Sequence, residues 1–166
     1  MEAHIAINDG QELSVETGGQ TWIMSWHPPP TAPSGRPEGS SGVCVTETGE
    51  LVIISEDGVH WNLPGGRPEG DETWEQTLRR ELREEACATV GEAHLLGFCR
   101  SRCIAGDEAG LVLVRSFWRA LVVLDAWAPQ FEITHRQVVS AADSLGILLP
   151  VFEPLYRRVL VAAEVL

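Results

Sequence analysis

Glu81, Glu84 and Glu85 close a stretch that reads GRPEGDETWEQTLRRELREEACA over residues 66–88. In a helix of about 100° per residue, these three carboxylates span about 100° of surface and share one face. Carboxylates crowded in this way repel one another, and the negative C-terminal end of the helix adds to the cost. A hard divalent cation with oxygen ligands relieves both. Such a cation lowers the pKa of a bound water, so hydrolysis is the chemistry that follows. The competing reading of the same residues is a solvated acidic helix without an ion.

The elements that must position these acids are legible on either side. Leu63-Pro64-Gly65-Gly66 reads as a tight turn ahead of a polar loop. A helix is predicted from Glu72 or Thr73 to Glu85 or Ala86. Trp74, Leu78, Leu82 and Ala86 form its apolar stripe beside the acidic face. Upstream, Val43–Thr46 and Leu51–Ile54 form a hairpin, and Thr21–Trp26 is a strand that stops at Pro28-Pro29-Pro30. Five of the ten prolines lie in 28–37, which reads as a stiff surface connection. Before it, a short hairpin is expected to turn at Asn8-Asp9-Gly10. Downstream, His94–Cys99, Leu111–Leu124 and Ile133–Val139 are strands, the second bent where Arg115 and Arg119 interrupt it. Ala141–Leu145 gives one or two helical turns, and Pro154 starts a last helix to about Glu164, with Leu155, Val159 and Leu160 inward. The pattern is α/β, a mixed sheet packed between helices.

The stretch at 66–88 resembles the signature of the Nudix hydrolase family. Gly66 opens it, Glu72 follows after five residues, and Arg80-Glu81-Leu82 after seven more. Glu84-Glu85 forms the acidic pair. Cys87 stands where the family has Gly, and Ala88 where it has a larger aliphatic residue. A family Gly there permits a backbone excursion at the helix end, so either the helix extends or Cys87 keeps the turn under strain. The resemblance implies a Nudix-like α/β/α sandwich and a Mg²⁺ site, with Mn²⁺ as substitute, built from Glu81, Glu84, Glu85 and the Gly65 carbonyl. It implies that Arg80 pairs with helix or loop carboxylates, Glu72 being the natural partner, and orients Glu81. It also implies hydrolysis of a diphosphate linkage in a nucleoside diphosphate derivative, either a nucleotide sugar or a nucleoside triphosphate. The alternative is a nucleotide-binding regulatory protein of the same fold without turnover. For the acid that takes the proton from water, Glu84 and Glu132 are both candidates. Asp107 and Glu108, in the Gly106–Gly110 loop, could close over the site.

Recognition of the substrate is less marked. Trp26 and Trp61, with Trp22, His27, His60, Phe98 and Trp118, could stack on a base. Arg67, which follows Gly66, and Arg115 are candidate phosphate contacts, as are Arg100, Arg102 and Arg119.

Composition bounds the reading. The 166 residues, 44% hydrophobic, suit one domain over 1–166, with 1–41 as an N-terminal strand and proline-rich extension. A net charge of −12 excludes a broad nucleic-acid surface but not a small phosphorylated substrate bridged by cations. No apolar run approaches the roughly 20 residues of a membrane span, and a cytoplasmic location is expected. Cys44, Cys87, Cys99 and Cys103 form no zinc-type spacing and read as reduced thiols. Twofold assembly, common among such proteins, would draw on the N-terminal strand and the proline segment as a homodimer interface.

Overall fold

A computed structural model describes residues 5–166. The strands are β1 Glu12–Thr17, β2 Gln20–His27, β3 Arg36–Val45, β4 Leu51–Ser55, β5 Trp61–Asn62, β6 Gly65–Gly66, β7 Ala88–Ala105, β8 Val112–Leu124 and β9 His135–Val139. The helices are α1 Trp74–Ala86, α2 Ala141–Ser144 and α3 Glu153–Ala162, the last preceded by a 3-10 turn at Pro150–Phe152. The strands form one mixed sheet in the order β1-β2-β7-β8-β3-β4-β5, with β6 on β3 and β9 on β4. Only the β3–β8 pairing is parallel among the described strand pairs.

Two cores lie on opposite faces of this sheet, as an α/β/α sandwich requires. Leu78, Leu82 and Ala86 of α1 pack on Cys44, Val52, Ala120 and Val122. Leu155, Val159 and Leu160 of α3 pack on Val43, Val45, Leu51 and Ile53. The predicted stripe of α1 is therefore the buried one, except that Trp74 stays half-buried, edge-on to Phe98. Thr73 starts the helix with a capping box: its hydroxyl accepts from the Gln76 N–H, and the Gln76 side chain accepts from the Thr73 N–H. Ser40 Oγ on β3 donates to the Trp74 carbonyl at 2.7 Å, which ties the helix start to the sheet.

Several boundaries differ from the sequence reading. The N-terminal hairpin joins β1 to β2 at Gly18-Gly19, both at positive φ, the backbone that a two-residue hairpin turn demands. Asn8-Asp9-Gly10 instead lies against β2, where the Gly10 N–H donates to the Trp26 carbonyl. The proline-rich stretch ends sooner than expected, because Arg36–Ser41 is already β3, paired with β8. The interruptions expected in β8 at Arg115 and Arg119 do not disturb its pairing with β7, where these residues face Cys99 and His94. The register shifts lie beside them, with the extra residues on β7, at Val90/Ala93 and Leu95/Gly97. Gly91 and Glu92 break the apolar pattern there, so β7, at 18 residues, is far longer than the predicted strand.

Candidate active site

Arg80 organises the carboxylates of α1. Its guanidinium donates to Glu72 through Nε (2.8 Å) and Nη2 (2.9 Å), to Glu81 Oε1 (2.8 Å) and to Glu84 Oε2 (3.1 Å). Nη2 also donates to the Arg67 carbonyl at 2.8 Å, which holds the polar loop against the helix. The expected Arg80–Glu72 pair is thus present and bidentate. The paired guanidinium pulls the Glu72 carboxyl down to about 2, with the Glu69 N–H adding to the effect.

Glu85 is placed differently. Its Oε2 accepts from the Gly65 N–H at 3.1 Å and it sits on the wall of a cleft of about 460 Å³. Burial, reinforced by the charges of Glu81 and Glu132, pushes its carboxyl up to about 7 against the Gly65 N–H and Arg115. Burial raises Glu81 as well, against Arg80. Four carboxylates (Glu69, Glu72, Glu81 and Glu84) therefore surround one guanidinium, and Glu85 stands apart from it on the Gly65 N–H. The three helix acids share a face but do not converge: among the described residues, no three His, Cys, Asp or Glu side chains gather around one cation-sized point.

The glycine turn needs glycine for contact and not for φ. A Cβ on Gly66 would lie 2.6 Å from both Glu81 carboxylate oxygens, and one on Gly65 would lie 2.6 Å from Ser41 Cα. Both glycines form β6, paired with Ser40 and Ser41 of β3. Gly66→Ala is expected to push the Glu81 carboxyl off Arg80 at a cost of about 1 kcal/mol or less, because only the end of that side chain must swing aside. Urea unfolding of the variant checks this.

At the end of α1, Cys87 keeps the turn in left-handed backbone, φ 49° and ψ 48°, and its N–H donates to the Leu82 carbonyl. Of the two outcomes open from sequence, the strained turn is the one found. Its Sγ donates to the Ala128 carbonyl at 3.4 Å. Arg136 of β9 donates to the carbonyls of Ala86, Cys87 and Asp125 at 2.9, 3.2 and 3.1 Å, with its guanidinium over Trp127. The first of these bonds supplies a donor to the last carbonyl of α1, and the others tie the helix end to the chain after β8. Cys87→Gly should be more stable than Cys87→Ala by about 1 kcal/mol. Both variants lose the thiol, so denaturant titration of the pair isolates the backbone strain.

Of the other predicted site residues, Arg115 lines the cleft, donating to Ser41 Oγ at 2.9 Å, with Glu38 at 3.5 Å. Glu132 lies exposed on a turn near Glu85, just before Ile133 of the cleft wall. Trp26 does not reach the cleft: it is fully buried against Phe117, a core residue. The Trp61 ring packs on His135 and the α3-side core instead of lining the cleft. Arg67 is exposed and contributes its carbonyl to Arg80. Glu108 is held by Gln20 at the far end of the β7–β8 ribbon, so that loop does not close over the site. Sequence reasoning missed Tyr156, whose hydroxyl donates to Asn62 Oδ1 in the cleft, and Asp57 beside His60.

The sequence matches the NUDIX domain over residues 35–146, two thirds of the chain and the whole of the segment that carries α1 and the glycine turn. The chain belongs to the Nudix family. No curated protein matches it by sequence. Among solved structures, this Nudix protein resembles a pyrophosphohydrolase from Bacillus subtilis, with a TM-score of 0.68 and 20% identity over 90% of this chain and 95% of that one. A NUDIX hydrolase from Nitrosomonas europaea gives 0.62 and 17%, covering 79% and 89%. The NUDIX domain of NrtR from Shewanella oneidensis, solved with ADP ribose, gives 0.57 and 20%, covering 76% and 86%. These likenesses establish the Nudix fold. No helix of the described residues is long and apolar enough to cross a membrane.

Proposed function

We propose that this Nudix protein is a divalent-cation-dependent hydrolase that cuts a diphosphate linkage in a nucleoside diphosphate derivative. The observation that carries the reading is the half-hidden Glu85, held by the Gly65 N–H on the wall of a cleft that also contains Arg115. The donor set suits Mg²⁺ or Mn²⁺: it is all hard oxygen, and the four carboxylates around Arg80, with Glu85 beside Gly65, outweigh that one guanidinium. Glu81, Glu84, Glu85 and the Gly65 carbonyl would hold the cation, which when bound neutralises phosphate oxygens and acidifies water.

The protein's own groups do the rest. Arg80 keeps Glu81 and Glu84 on the working face of α1 and prevents their collapse into solvent. Arg115 is a guanidinium fork for a phosphate oxygen. Either Glu84 or Glu132 takes the proton from water, and comparing the two Gln variants decides between them, since loss of the true base costs roughly 10²–10⁴-fold. The products are a nucleoside monophosphate and a second phosphorylated compound.

The test is turnover of ADP-ribose, NADH, diadenosine polyphosphates and nucleoside triphosphates with Mg²⁺, repeated in EDTA. Release of a nucleoside monophosphate from at least one of them, abolished by EDTA, is the expected result. Tight binding with no turnover across the panel would instead favour a nucleotide-sensing protein.

A further inference from the structure

The loop between β4 and β5 carries a hydrogen-bonded pair that the helix acids and the glycine turn do not explain. Asp57 is locked at its centre. Its Oδ1 accepts from the N–H groups of Val59 and His60, both at 2.8 Å, and from Ser55 Oγ at 3.1 Å. Ser55 Oγ accepts in turn from the Gly58 N–H at 2.8 Å. The other oxygen, Oδ2, lies 2.6 Å from His60 Nδ1. These donors, the His60 ring first among them, hold the Asp57 carboxyl well below the usual range. A carboxylate so fixed orients the ring with Nδ1–H toward Asp57, which turns Nε2 away from Asp57 and, in that tautomer, makes it an acceptor.

Both side chains line the cleft, and they are its exposed part, 51% for Asp57 and 67% for His60. Glu56 lies on the same rim. Arg115 sits deeper, 24% exposed, against Ser41. Inside the cleft the one guanidinium, Arg115, stands with the carboxylates of Glu38 and Glu85, while the edge carries acceptors with no guanidinium among them. An edge of acceptors repels phosphate and suits hydroxyl donors.

We propose that this loop reads a sugar: His60 Nε2, oriented by Asp57, accepts a hydrogen bond from a hydroxyl of a ribose joined to the diphosphate. The inference rests on the diphosphate reading above and adds to it the residue that reads the sugar's hydroxyls. The ribose is either that of the nucleoside or a terminal sugar. A turn that served only to close the loop would leave ligand preference untouched.

Two ligand pairs separate the sources: ATP against 2′,3′-dideoxyATP for the nucleoside ribose, and ADP-ribose against ADP bearing 2,3-dideoxyribose for the terminal one. Each ratio is measured on the full chain as Kd with Ca²⁺ and as kcat/KM with Mg²⁺. The protein should favour the hydroxylated member of one pair by about 10-fold. His60→Phe should bring that ratio to within about 2-fold, and His60→Gln, which restores an acceptor, should recover part of it. Asp57→Asn should lower the ratio too, although its Oδ1 can still accept from Val59 and His60 and so keep the turn. Absence of preference in both pairs, or an unchanged preference in His60→Phe, overturns the proposal while leaving hydrolysis intact. A His60-dependent Kd ratio without turnover supports it and removes the hydrolase reading instead. Failure to bind any of the four ligands overturns both.

Discussion

Replacing Glu85 by Gln will lower turnover by roughly 10²–10⁴-fold and, in the same protein, raise stability at neutral pH. The second effect follows from the first residue's cost to the fold. Burial raises the Glu85 carboxyl to about 7, whereas in an unfolded chain a glutamate titrates near about 4.3. A carboxyl raised in this way favours the folded state fully below about pH 4.3, and that contribution is lost as the pH rises through about 7. Gln has no proton to lose, and its Oε1 can still accept the Gly65 N–H. In EDTA at about pH 8, the variant should gain roughly 1–3 kcal/mol, with Tm rising about 2–4 °C for each kcal/mol in a chain of this size. The gain should vanish in acid. Paired thermal melts and turnover assays read both effects. A variant as active as the parent and no more stable would remove Glu85 from the site.

Arg80→Met should act in the opposite direction on stability. The guanidinium is 15% exposed and serves Glu72, Glu81 and Glu84 at once, together with the Arg67 carbonyl. Methionine fills a similar volume but leaves those carboxylates facing one another without a cation. The half-buried cluster loses its one cation, so the urea midpoint should fall, and turnover should fall with it because Glu81 and Glu84 lose their holder. Arg80→Lys keeps the charge but not the fork, so it should fall between the two. The pH profile gives a further check. The depressed Glu72 carboxyl contributes stability above its unfolded value, lost as the pH falls from about 4.5 toward about 2. The difference between parent and Met variant should therefore narrow in that window. A urea midpoint unchanged by the substitution would show that the carboxylates do not depend on Arg80.

The helix that carries the acids was legible because every level agreed. The capping box at Thr73, the stripe of Leu78, Leu82 and Ala86, and the spacing of Arg80 with Glu81, Glu84 and Glu85 all specify one orientation of one helix. The Arg80–Glu72 pair was legible for the same reason, since both residues belong to that local unit. The cleft was not. Its walls come from β3, β8, the β4–β5 loop and α3, and only long-range packing brings Arg115, His60 and Tyr156 together. Trp26 shows the limit most directly: a tryptophan on a predicted strand has two faces to choose from, and composition does not say which is covered. Here β2 lies inside the sheet between β1 and β7, and the ring is enclosed. The Asp57-Gly58 turn followed by His60 was the one local signal of the cleft rim. His60 reads from sequence only as a stacking surface, because turns of this kind also occur without partners.

The pairing of Gly65 and Gly66 with β3 has a consequence for how tightly this protein could grip an ion. The backbone of that two-residue strand is fixed by the sheet, while the carboxylates opposite, held only through side-chain hydrogen bonds, each hang on three rotatable bonds. One jaw is rigid and the other adjusts, so exchange of one cation for a larger one would be absorbed by glutamate rotamers without disturbing a strand. Selectivity between ions of different radius should then be shallow, and set more by what the surroundings supply than by the protein.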